Sequence, residues 1–297
     1  MGFFILKVYK VLFIVVCLLL SFACKSTQNT NLPSSQSREI TDDLNRQVKI
    51  PEKVTRVISL APNLTEIIFA VGGGDKLVGR TDYCNYPEEA KKVASIGDTL
   101  KPNVENIIAL KPQVVFVSTA SQLETFTKTL ESQGITVFVT NPNSLDGIYQ
   151  SIEKVGEILG TKDKATEVIG NLKKRVAAVE EKTKNVAKPK VFVQIDKSLY
   201  TIGKDSFITD LINRAGGISA TKDLATAYPK LSKETALALN PDIIILSESP
   251  DNDEPNEVFK NSNAVKNGKV FKINADILSR PAPRIVDGLE QITEKIH

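Results

Sequence analysis

The chain has 297 residues, a formal charge of +3 at pH 7, three cysteines, no tryptophan and one histidine, His297. A single imidazole leaves a His-based metal site without ligands and argues against Ser–His or Cys–His nucleophilic catalysis, so no metal is expected; no cofactor is expected either. Basic and acidic residues nearly balance, which excludes the electrostatic footprint of a nucleic-acid binder.

Residues 1–24 read as an address. Lys7 and Lys10 precede the apolar run VLFIVVCLLLSFA (11–23), which has signal-peptide length and is short for a membrane span of roughly 20 residues. The stretch LSFAC resembles a bacterial lipobox, which makes Cys24 the first mature residue and its lipid-bearing membrane anchor; an ordinary signal peptide or an uncleaved anchor is the alternative. Residues 1–24 contain no acid, so their loss lowers the charge from +3 to +1. Residues 25–37 are polar and aperiodic, as a flexible tether is. With Cys17 removed and Cys24 lipidated, Cys84 has no disulfide partner.

From there the chain alternates short β-rich runs with amphipathic ones, which predicts an α/β fold. A first lobe over 38–143 holds strands at Arg56–Leu60, Lys76–Arg80, Val114–Ser118 and Thr136–Thr140. Gly72–Gly74 fit a helix C-cap and loop, not a phosphate-binding loop. Residues 144–187 are helical. Ile148, Ile152, Val155 and Leu159 recur until Gly160, and a stripe from Ala165 to Val179 predicts one helix over 161–186, roughly 39 Å at 1.5 Å per residue. Its single narrow apolar stripe suits a bridge between lobes. A second lobe over 188–297 holds strands at Val191–Ile195, Leu199–Gly203, Asp242–Leu246 and Val270–Ile273. Both lobes are expected to contain a mostly parallel central sheet flanked by helices.

The halves echo each other. ENIIALKPQVVFVS (105–118) and ETALALNPDIIILS (234–247) share a plan, as TEIIFAVGG (65–73) and TDLINRAGG (209–217) do more weakly. Glu105 and Glu234 fall at equivalent helix N-termini, where the macrodipole favours a carboxylate without any further purpose. RTDYCNYPEEA (80–90) follows a strand, where open α/β sheets place ligands; Tyr83 and Tyr86 either pack beneath a loop or line a site. Tyr200 and Tyr228 form a second aromatic set, so two lobes offering tyrosines could close on one flat apolar guest. Asp276 and Arg280, four apart after the last strand, form either a local ion pair or a polar rim.

RVISLAPNLTEIIFAVGG, YCNYPEEAKKV, NVENIIALKPQVVFV, LSKETALALNPDIII and RPAPRIVDGLEQI together resemble the class III periplasmic substrate-binding proteins of ABC importers for vitamin B12, ferric siderophores and haem, over about residues 39–292. The tyrosine–x–x–tyrosine–proline segment is most similar to the vitamin B12-binding branch. The resemblance implies two lobes joined by a rigid helix and a cobalamin-like corrinoid in the cleft. It also implies ligand contacts from Asn63, Tyr83, Tyr228, Asp276 and Arg280, and permease docking through Glu105 and Glu234. A monomeric, extracytoplasmic, lipid-anchored protein that is not an enzyme is expected. A ferric-siderophore or haem binder is the alternative within the class; a hydrolase using carboxylates and a structural lipoprotein are the alternatives outside it. One departure stands out: the resemblance to B12 binders implies a tryptophan stacked on the ligand, this chain has none, and the corresponding first-lobe position falls near Thr99.

Overall fold

The computed structural model describes residues 37–99, 101–118 and 123–297. The expected signal segment and lipidation at Cys24 lie outside the described residues, as does the tether except Ser37, which opens the first strand. β1 (Ser37–Thr41) and β2 (Gln47–Pro51) form an antiparallel hairpin. Asp42 accepts from the backbone N–H groups of Leu44 and Arg46 in its turn, where Asn45 takes a left-handed φ of 59°.

β3 (Val57–Ser59), α1 (Pro62–Ala70), β4 (Leu77–Arg80), α2 (Val104–Ala109), β5 (Val114–Ser118), α3 (Leu123–Ser132) and β6 (Thr136–Thr140) build the first lobe. Its four strands are all parallel, in the order β4-β3-β5-β6. α4 (Leu145–Leu159) and α5 (Lys162–Thr183) then lead to the second lobe. There β7 (Lys190–Gln194), α6 (Phe207–Arg214), β8 (Ile218–Ser219), α7 (Lys233–Leu239), β9 (Ile243–Glu248), α8 (Asn263–Lys266), β10 (Val270–Asn274), α9 (Ala275–Ser279) and α10 (Ile285–Ile296) follow. The second sheet is also parallel, in the order β8-β7-β9-β10.

The two sheets therefore have one topology, and the sequence echo has a backbone counterpart. Gly72 and Gly216, equivalent by the echo, have φ of 79° and 77°. Lys111 and Asn240, each before a proline at a helix-to-strand junction, are left-handed at 48° and 38°. The segment at Leu199–Gly203 is not a strand: Leu199 has φ of 70°, which breaks the extended run and leaves only an isolated bridge between Tyr200 and Lys230. α5 ends at Thr183, whose hydroxyl donates back to the Val179 and Arg214 carbonyls. At 22 residues it spans about 33 Å.

Continuous apolar strands bury both faces. Val115, Val117, Val137 and Val139 pack on an outer core with Ile58 and Ile107; Phe192, Ile244 and Leu246 do the same in the second lobe with Phe259. The opposite faces, carrying Val114, Phe116, Val191, Val193, Ile243 and Ile245, drain into one shared core. α4 brings Ile148, Ile152 and Val155 to it, α5 Leu172 and Val176, and α10 Val286, Leu289 and Ile292. α5 carries the chain between the lobes, and this core makes the connection broader than a bare helix. Arg214 of α6 adds ion pairs to Asp146 of α4 and Glu180 of α5.

Ile152→Ala, at a fully buried position of the shared core, should lower unfolding stability by about 2–5 kcal/mol. Denaturant unfolding followed by circular dichroism and tyrosine fluorescence should show one coincident transition, because both lobes lose the same core; two separated transitions would contradict the shared core.

Candidate functional site

α1 opens directly after β3 with Pro62 in its first turn, where a missing N–H costs nothing. This places Asn63 at the helix entrance, 5 % exposed, and Glu66 one turn further on, 3 % exposed. Asn63 Nδ2 is buried without a hydrogen-bond partner among the described residues. A carboxylate so far from water must be paired. Its partners come from the far end of the chain: Arg284 donates through Nε to Oε2 at 2.9 Å and through Nη2 to Oε1 at 2.6 Å, and Arg280 Nη1 donates to Oε1 at 3.1 Å. Arg284 thus makes a two-point fork, the strongest geometry for a guanidinium–carboxylate pair.

The segment after β4 supplies the rest of the first lobe's side. Cys84 is buried, with its sulfur 3.2 Å from the Thr81 hydroxyl and its N–H donating to the Thr81 carbonyl. Anchoring this one residue leaves its neighbours turned outward: Tyr83 is 57 % exposed, and Asn85 and Tyr86 are exposed too. Asn85 Oδ1 accepts from Arg280 Nη1 at 2.7 Å, and its Nδ2 donates to Asp276 Oδ2 at 3.2 Å. The Tyr83 carbonyl accepts from Arg280 Nη2 at 3.4 Å. The Arg284 guanidinium lies 3.9 Å from the Tyr86 ring centroid, a cation–π contact.

From the second lobe, Asn274 caps α9 by accepting from the Asp276 N–H at 2.9 Å. Asp276 therefore sits in the first turn of a short helix, and Arg280 follows its last turn. Their local ion pair is real, with Arg280 Nη2 at 2.7 Å from Asp276 Oδ1. It is one part of a larger unit in which two acids meet two guanidiniums, with no net charge. Glu66 holds Arg284 above the ordinary guanidinium value, against desolvation.

The tyrosines occupy two rims. Tyr83 Oη donates to Asp98 Oδ2 at 3.1 Å, and this hydrogen bond, followed by the charge of Asp98, raises the Tyr83 pKa. In the second lobe Thr201 N donates to the Pro229 carbonyl and Gly203 N to that of Ala227, so the chain segments of Tyr200 and Tyr228 lie side by side. A Cβ on Gly203 would fall 1.9 Å from the Thr226 carbonyl oxygen, so only glycine permits this approach. Tyr228 is 46 % exposed overall. Its hydroxyl end turns toward Ser206; burial there pushes its pKa up, and the Ser206 hydrogen bond partly offsets that.

The structure brings Tyr83, Asp276 and Arg280 into one cluster and places Asn63 one helical turn from it. Among the described residues no hydrogen bond or ion pair joins Tyr228 to that cluster. Glu66, Asn85 and Arg284 complete it and were not anticipated; the available signal was a glutamate amid the apolar residues Leu64, Ile67 and Ile68. Glu105 and Glu234 are exposed in the first turns of α2 and α7. Glu66 and Asp276 are both tied to arginine, an arrangement that positions groups and offers no free acid–base pair.

The family model described as periplasmic binding protein matches residues 57–277. An uncharacterized ABC transporter substrate-binding lipoprotein of Bacillus subtilis (strain 168) is 34% identical over 87% of this chain and 85% of its own length. Among solved structures, the periplasmic vitamin B12 binding protein of Vibrio cholerae is similar at a TM-score of 0.71 and 26% identity, over 82% of this chain and 96% of that one. A possible iron-binding (periplasmic solute-binding) protein from Staphylococcus epidermidis is similar at 0.71 and 28% identity, over 83% and 100%.

Asp98→Asn should lower the Tyr83 pKa toward the free-phenol value of about 10, because the phenolate no longer forms beside a carboxylate. Spectrophotometric titration of tyrosinate absorbance would read this as an earlier rise in one tyrosine's signal. An unchanged titration would remove Asp98 as the cause.

Proposed function

The chain belongs to the periplasmic binding protein family, and from that premise we propose that it captures a cobalamin-like corrinoid in the interlobe cleft for delivery to a membrane permease. Its coarser role follows from the family: it is an extracytoplasmic substrate-binding protein of an ABC importer and makes or breaks no bond itself. The observation that carries the ligand proposal is the pair of exposed tyrosines, Tyr83 and Tyr228, one from each of two lobes of identical topology. A phenol ring offers broad stacking area with a polar tip, which suits a large, flat, amide-fringed guest. The similarity to a vitamin B12 binding protein at 26% identity supports the same reading. Asn63, Asp276 and Arg280 are proposed to meet the ligand's polar edge; the unpartnered amide of Asn63 is a donor in want of an acceptor.

A ferric-siderophore or haem ligand is the second reading. The absence of tryptophan and the similarity to a possible iron-binding protein favour it. Titrating the protein with cyanocobalamin, haemin and ferric siderophores, read by tyrosine fluorescence, separates the two. Cyanocobalamin should bind most tightly, and Tyr83→Ala and Tyr228→Ala should each weaken it about tenfold, near 1.4 kcal/mol. Preference for haemin or a siderophore would overturn the corrinoid reading.

Docking is proposed through Glu105 and Glu234, exposed at equivalent positions of the two lobes. Glu234 is held ionised by its own backbone N–H and by Ser232, which lower its pKa. A lipid on Cys24 is proposed to keep the protein at the membrane. The double substitution Glu105→Lys with Glu234→Lys should abolish uptake and leave ligand affinity unchanged, and native uptake should fall as salt rises. Loss of ligand affinity in that variant would remove the docking role.

A further inference from the structure

We infer that Glu66 and Arg284 form an interlobe clamp that sets the width of the cleft and positions Arg280, with Asn85 an exchangeable neighbour outside the clamp itself. Glu66 and Asn85 belong to the first lobe; Asp276, Arg280 and Arg284 belong to the second. The three Glu66 bonds, at 2.6, 2.9 and 3.1 Å, join positions 214 and 218 residues apart. Its side chain is 2 % exposed and that of Arg280 is 11 % exposed, so in this arrangement the pair is held almost out of water. Separating the lobes here would break three charge-assisted hydrogen bonds at once, each roughly twice as strong as a neutral one. Pairs this deeply placed are also screened little by salt.

The clamp is graded from inside to outside. At its centre Arg284 is fixed by its fork on Glu66 and covered by the Tyr86 ring. The gradient is one of burial: at the edge Asn85 is exposed, although it bonds Arg280 at 2.7 Å as well as Asp276 at 3.2 Å. Arg280 lies between. Its Nη1 serves Glu66 and Asn85, and its Nη2 serves Asp276 and the Tyr83 carbonyl. A ligand acceptor reaching Arg280 competes with exposed Asn85, an exchange of one neutral acceptor for another on the same guanidinium. Competition with Glu66 would break a buried ion pair. Asn85 is therefore the exchangeable member, and Glu66 is a positioning residue that keeps Arg280 aimed while the exchange occurs. The lobe-spacing part of this inference is independent of ligand identity; the ligand-exchange part rests on the corrinoid reading.

The test uses the full chain with spin labels on genetically encoded keto residues replacing Asn106 in α2 and Lys233 in α7, both exposed and one on each lobe. Pulsed dipolar spectroscopy without ligand should give one narrow distance distribution. Glu66→Gln and Arg284→Lys should each broaden it about twofold, and the double variant should be no broader than either, because the pair acts as a unit. Asn85→Ala should leave it unchanged. Equal widths for the native protein and both clamp variants would overturn the inference. Should Glu66→Gln fail to fold by circular dichroism, Arg284→Lys against Asn85→Ala decides alone, and equal widths there would overturn it. Separately, Glu66→Gln should weaken cyanocobalamin about tenfold. Failure of the native protein to bind cyanocobalamin would defeat the corrinoid reading and leave the distance result to judge the clamp.

Discussion

A carboxylate taken almost wholly out of water has to be answered by positive charge, and the answer to Glu66 comes from the opposite lobe. This requirement ties α1 to the loop between α9 and α10 and brings the ends of two separate sheets to a fixed approach. The segment turned outward by the anchoring of Cys84 meets this approach, since Arg280 reaches the Tyr83 carbonyl and Asn85 while Arg284 lies against Tyr86. Tyr83 and Tyr86 thus lie on a segment that touches two arginines of the opposite lobe.

The approach of the lobes rests on a second attachment. The inner faces of both sheets share one apolar core through α4, α5 and α10, so lobe motion would disturb packing as well as ion pairs. Packed interiors have few intermediate arrangements. A cleft joined by both a core and a charge cluster should change little on loading, which suits capture by exchange of edge hydrogen bonds. The common strand order and the matched left-handed residues at Gly72 and Gly216, and at Lys111 and Asn240, make the cleft a meeting of two similar units. Equivalent surface acids at Glu105 and Glu234 follow naturally from such a plan.

Much of this was legible in the residues. β5 and β6 could be bounded at Val114–Ser118 and Thr136–Thr140 because strands buried on both faces read as unbroken apolar runs between turn signals. The long helix was legible from its stripe, although its end at Thr183 depends on a contact with Arg214 that no local pattern announces. The β1–β2 hairpin escaped because its apolar residues alternate with charges in two five-residue pieces. Leu199–Gly203 looked like a strand until its first residue adopted a left-handed backbone. In the site, the Asp276–Arg280 pair could be read from its spacing, whereas Tyr83 was singled out for its ring and meets Arg280 through its backbone carbonyl. Glu66 was hidden because a glutamate in a helix reads as a solvated face, and its partners lie more than 200 residues away, a separation only the tertiary fold closes.

The account stands on a single guest being held by both lobes at once. Hydroxyl-radical footprinting of the full chain, with and without saturating cyanocobalamin, measures this at each tyrosine. Loss of reactivity at Tyr83 and Tyr228 together, with buried Tyr149 unchanged, is the expected result. Protection confined to one lobe, or no protection at either ring, would contradict it.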